Sequence, residues 1–158
     1  MALKDPRPSH LLAADSNVPL DLALGREIVL DALAAIRQRI ASRWVLIPPT
    51  VAGELAVTAD EDLLPAKRAA AARFFEDHRA WGFRIVSYVP LGNEFINTVA
   101  GALRAKGLID EDEINDSLVV VEAAAMNCSI LLTSDEHLRS MDYEPSPSDC
   151  AASTSPRL

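Results

Sequence analysis

The chain has 158 residues, 49% of them apolar, and a formal net charge of −8. That length and apolar content suit one α/β domain with a real core and argue against disorder. The negative charge argues against a dedicated nucleic-acid coat, which needs clustered Lys and Arg, yet it leaves open an enzyme acting on nucleic acid whose carboxylates are neutralised by bound metal.

Other classes fall away on simple grounds. The longest apolar stretch, residues 118–126, is interrupted by Glu122 and falls short of the roughly 20 residues that span a bilayer. Lys4, Arg7, Pro6 and Pro8 stand where a secretory apolar core would have to be, so the expectation is a cytoplasmic protein. Cys128 and Cys150 form no metal-ligand or redox spacing and read as reduced, structural thiols.

In chain order, residues 1–8 read as an extended arm, and residues 9–14 as a short strand whose continuous apolar pattern suits a strand covered on both faces. Asn17 is the expected N-cap of a helix over residues 18–42, with Pro19 in its first turn and a break or kink near Gly25. Residues 44–47 form the second strand, ended by Pro48 and Pro49, and residues 50–58 a short helix carrying Glu54. The alanine-rich segment 66–79 is a helix on propensity, Trp81 and Gly82 a turn, and residues 83–89 the third strand. Residues 93–106 predict a helix with Phe95, Ile96, Val99 and Leu103 on one face and Gly107 just past its end. Asp110 and Glu113, at capping-box spacing, announce a helix to about residue 127 with Ile114, Leu118, Val121 and Ala125 as its core stripe. Residues 128–133 are the fourth strand, and Ser134 or Asp135 caps a short helix to Met141. Residues 142–158 read as loop, with a last short strand over 151–154. Strands alternating with helices predict an α/β/α sandwich around a mostly parallel, four- to five-stranded, doubly wound sheet, forming one domain over residues 1–158.

Four acids sit where apolar segments give way to polar turns: Asp15, Glu54, Asp116 and Asp135. In open parallel sheets the ligand site lies outside the carboxyl ends of the strands, where Asp15 and Asp135 fall. Carboxylates gathered there can hold a hard divalent cation, and a held cation can cut phosphodiesters. Asp110, Glu111, Asp112 and Glu113 are explained by a helix start, whereas Asp116 lies further in and is the better ligand candidate. Glu54 alone reads as a solvent-facing helix residue. Asn17, Thr133 and Ser134 have hydrogen-bonding groups that would orient carboxylates or phosphate, or simply serve turns and caps. Arg37, Arg39 and Arg43 on one helix, with Lys67, Arg68, Arg73 and Arg79 on another, make either a cationic rim around the acids or a solvated face. His10 and His78 show no partner, His137, two positions after Asp135, is either near the site or an exposed helix-start residue, and no Gly-rich phosphate loop or Ser-His-Asp order is present.

The strings LLAADSNVPLDLA, PPTVAGELA, INDSLVVVEAAAMNCSILLTSDEHL and SPRL resemble, in wording and order, the PIN domains, small α/β domains many of which are metal-dependent ribonucleases. The resemblance implies that Asp15, Glu54, Asp116 and Asp135 are all kept as the acidic set. It implies an endoribonuclease using Mg²⁺ or Mn²⁺, with Asp15 and Asp116 as principal ligands, Asp135 as a further direct or water-mediated ligand, and Glu54 holding or deprotonating the attacking water. It also implies RNA as substrate, the toxin half of a toxin-antitoxin pair with an antitoxin-like partner, and a homodimer. Two other readings stay open at this point: a non-catalytic module of the same fold that binds protein or RNA, and a phosphatase. The phosphatase reading is weakened because Asn17 stands where a second Asp would follow Asp15.

Overall fold

The computed structural model describes residues 10–40, 42–135 and 138. Ten elements follow one another: β1 (Leu12–Ala14), α1 (Asn17–Ala23), α2 (Glu27–Ile40), β2 (Val45–Ile47), α3 (Pro49–Glu61), α4 (Pro65–Asp77), β3 (Phe83–Ile85), α5 (Asn93–Ala105), α6 (Ile114–Ala125) and β4 (Ile130–Leu132). The four strands pair in parallel in the order β3-β2-β1-β4. β1 lies between β2 and β4 with Leu12, Ala13 and Ala14 fully buried, as its unbroken apolar pattern requires.

Chain order steps one way across the sheet from β1 to β3 and then returns past β1 to β4. Right-handed crossovers place α1, α2 and α4 on one face and α5 with α6 on the other. The contacts agree: α1 packs on α2 and α4, and α5 on α6. This is the three-layer sandwich expected from the sequence. One core, built around Leu12, Val45, Ile47, Val51, Leu55, Phe74, Phe83 and Val119, fills the middle. A second cluster of Val89, Ile96, Ala100 and Val121 joins α5 to α6. Phe74 anchors the first of these cores on the α4 side, fully buried with its ring beside those of Phe75, His78, Trp81 and Phe83.

Several expectations shift. The break expected near Gly25 is present and is complete, dividing the helix over residues 18–42 into α1 and α2: Gly25 takes φ +74°, a conformation its missing Cβ permits. The expected cap Asn17 is instead the first residue of α1, and Ser16 precedes it without a side-chain capping bond. β3 stops at Ile85; Val86 still donates to the Ile47 carbonyl, but the chain then turns toward α5, so residues 87–89 are not strand. Asp110 and Glu113 form no capping box, because residues 110–113 are turn and α6 begins at Ile114. With that later start, Ile114 is 54% exposed rather than part of the core stripe, and Phe95, at the start of α5, is 56% exposed. The helix expected from Ser134 to Met141 and the strand expected over residues 151–154 fall almost wholly outside the described residues, as do the extended arm 1–8, His137 and Cys150.

Candidate active site

The strand order reverses direction between β1 and β4, and such a switch point opens a crevice beyond the strand ends. Register does the local work. Ala14 lies opposite Leu132, and the Asp15 amide donates to the Leu132 carbonyl at 2.9 Å, so Asp15 and Thr133 leave the sheet side by side. The Thr133 hydroxyl donates to Asp15 Oδ2 at 3.0 Å and accepts the Asp135 amide at 3.0 Å. The other oxygen of Asp15 accepts the Ser16 amide at 2.6 Å.

Glu54 arrives from α3 and Asp116 from α6. Asn115 Nδ2 donates to Glu54 Oε1 at 2.8 Å, and Ser16 also donates to Glu54, so Ser16 stands between two acids. Burial, first of all, holds Asp15 above the usual carboxylate range against the lowering effect of the Ser16 and Thr133 hydrogen bonds, with the Asp135 charge adding to the rise. Burial raises Glu54 as well, the charges of Asp15 and Glu122 adding to it while Ser16 and Asn115 oppose it. Asp116 is pushed up to about 7 by burial and then by the charges of Asp15, Glu113 and Asp135. The four expected acids therefore share one electrostatic site.

Sequence reasoning placed Asp116 too deep in its helix: it lies in the first turn of α6. Glu113, set aside as a helix-start residue, is coupled to Asp116 by charge and by a hydrogen bond. Thr133 does orient a carboxylate. Ser134 instead donates to Asp21 Oδ2 at 3.3 Å, and Asp21 pairs with Arg26 at 3.1 Å. Asn17 is exposed and makes no contact with the acids among the described residues. Ser16, Asn115 and Glu122 were missed as contributors; the only signal for the first two was their place beside Asp15 and Asp116.

Arg37, Arg43 and Arg73 of the expected rim lie against Trp81 and Trp44 rather than beside the acids. Arg37 donates to the Trp81 carbonyl and Arg43 lies over the Trp44 ring, just before β3 and β2, at the sheet end opposite the carboxylates. Among the described residues no Lys or Arg pairs with Asp15, Glu54 or Asp116. The donor set is oxygen only, which suits a hard cation. Among the described residues no three His, Cys, Asp or Glu side chains form a ready ligand cluster. The set fits a cation taken by one or two carboxylates with water filling the rest of its shell, the habit of Mg²⁺.

A four-stranded parallel sheet in the order β3-β2-β1-β4, carrying acids at its switch point, defines a PIN-like α/β fold. Among solved structures, a chain of VapBC2 from Rickettsia felis, crystallised bound to a DNA fragment from their promoter, shares it with a TM-score of 0.60 at 17% identity. The match covers 83% of this chain and 92% of that one. No family model and no curated protein matches the sequence. No helix among the described residues is long and apolar enough to cross a membrane.

Proposed function

We propose that the protein is a divalent-cation-dependent endoribonuclease. The observation that carries this reading is the gathering of Asp15, Glu54, Asp116 and Asp135 at the switch point, where among the described residues no Lys or Arg pairs with Asp15, Glu54 or Asp116. Carboxylates held together against their own repulsion favour a cation between them. Bound Mg²⁺ or Mn²⁺ would lower the pKa of a water and offset charge building on the phosphate. Asp15 and Asp116 hold the ion, with Asp135 reaching it directly or through water. Thr133 fixes the Asp15 rotamer so that one carboxylate oxygen keeps its direction. Glu54, whose affinity for a proton is raised by burial, accepts the proton of the attacking water while Asn115 and Ser16 hold its carboxylate in place.

The likeness to VapBC2 supports a further part of the reading, a toxin that works with an antitoxin-like protein partner; a homodimer of one-domain chains in the cytoplasm belongs to the same proposal without resting on that likeness. The direct test is cleavage of single-stranded RNA with increasing Mn²⁺, wild type beside Asp15→Asn and Asp116→Asn. Cleavage that needs Mn²⁺ and is lost in both variants supports the proposal; full cleavage in either variant sinks it. The lack of a ready three-ligand cluster among the described residues favours, as second reading, a non-catalytic binding module. That reading expects no shift of thermal stability on adding Mg²⁺ or Mn²⁺.

A further inference from the structure

Glu122 interrupts the apolar run of α6 and is only 7% exposed. A buried carboxylate is costly unless its oxygens are hydrogen-bonded. Both of them are: the Thr50 amide donates to Oε2 at 3.0 Å and the Thr50 hydroxyl to Oε1 at 2.7 Å. Thr50 is the second residue of α3, where backbone N–H groups have no partner within the helix. α3 has no cap of its own, because its N-cap residue is Pro48, which makes no side-chain capping bond. α6 therefore supplies the cap, and a negative charge at that helix end is favourable.

Glu54 lies one turn beyond Thr50 on the same side of α3. It receives Asn115, two turns from Glu122 along α6. Two polar bridges thus join the same pair of helices at two heights, Thr50 to Glu122 and Glu54 to Asn115. Added to the burial of Val51 and Leu55 in the core, the two bridges hold the register of α3 against α6.

We infer that Glu122 is a positioning residue for Glu54: by clamping the first turn of α3 it sets the register in which Glu54 meets Ser16 and Asn115 beside Asp15. Its effect on turnover rests on the nuclease reading above; the positioning can be read without it. The variants are Glu122→Gln, which keeps size and one acceptor oxygen, Thr50→Val, which removes only the hydroxyl, and Thr50→Ser, which restores it. Thr98→Val on α5, whose hydroxyl bonds only within its own helix, is the control.

The first readout is NMR of the full chain: exchange of the Thr50 amide and the resonance of the Asn115 side-chain amide. Faster Thr50 exchange and a displaced Asn115 resonance in Glu122→Gln and Thr50→Val, with neither change in Thr98→Val or Thr50→Ser, are expected. Both signals unchanged in folded Glu122→Gln would overturn the inference, whatever the chain does to RNA. The second readout is cleavage with Mn²⁺, where Thr50→Val is expected to lower kcat roughly tenfold, the scale of an outer-partner loss, with KM unchanged and Thr50→Ser restoring the rate. Wild-type kcat in Thr50→Val, in a wild type that cleaves, also overturns it. If no chain cleaves RNA and the NMR changes still appear, the clamp stands and the nuclease reading fails.

Discussion

The Thr133 hydroxyl donates to Asp15 Oδ2 across 118 residues of chain, and Thr133 Oγ1 in turn accepts the Asp135 amide. One small side chain thus couples the two strand ends that carry the acids. Thr133→Val keeps the shape and removes both bonds, leaving Asp15 held through one oxygen only, by Ser16. The expected outcome is a roughly 10- to 100-fold weaker response to Mn²⁺, measured by titration, with the fold retained by circular dichroism.

Replacing Asp116 separates stability from function. Asp116→Asn removes a charge that Asp15, Glu113 and Asp135 all repel, so the cation-free chain should melt at a higher temperature than wild type at about pH 8. If the proposed cation site exists, Mn²⁺ should raise the wild-type melting temperature and the same variant should lose most of that shift. A lower melting temperature without cation would contradict the repulsion argument.

The pH dependence has a definite sign. Asp116 rises from the ordinary 3.8 to about 7 in the fold, so between those values the folded chain keeps a proton that the unfolded chain has released. Asp15 and Glu54 are raised in the same direction. Stability without divalent cation should be greatest at the acidic end of this window and fall as pH rises through it. Cation and proton compete for the carboxylates, so stabilisation by Mn²⁺ should grow over the same window. Thermal melts at a series of pH values, with and without Mn²⁺, check both slopes.

Phe74 offers a control remote from the chemistry. Fully buried and edge-on to Phe83 at 5.4 Å between ring centres, it ties α4 to β3. Phe74→Ala should cost about 3–5 kcal/mol in denaturant unfolding, through lost burial and the cavity left behind. The surviving folded fraction should keep its response to Mn²⁺.

The architecture was legible because the strands are short, apolar but for Arg84 in β3, and punctuated by Pro, Gly and Asp, and because α/β alternation admits few topologies. Asp15 and Asp135 were legible as strand-end acids for the same reason. Glu54 was not: nothing local separates it from a surface Glu, and its standing comes from Ser16 and Asn115, which only the fold brings to it. The start of α6 was misjudged because Asp110 and Glu113 imitate capping spacing in a turn, and so Glu113 was discounted although it bears on Asp116. Glu122 read only as an interruption of an apolar run; its partner Thr50 lies 72 residues away, a distance no periodicity can see.

The central position of β1 has a consequence for how the molecule comes into being. One edge of that strand pairs with β2, some 30 residues on, but the other must await β4, beyond residue 129. Closing so long a loop is slow, because its entropy is lost before the new contacts repay it. A chain emerging from the ribosome therefore carries Asp15 and Glu54 early, yet it holds no complete acidic crevice until β4 docks. Synthesis itself imposes a delay between making this chain and completing its acidic site.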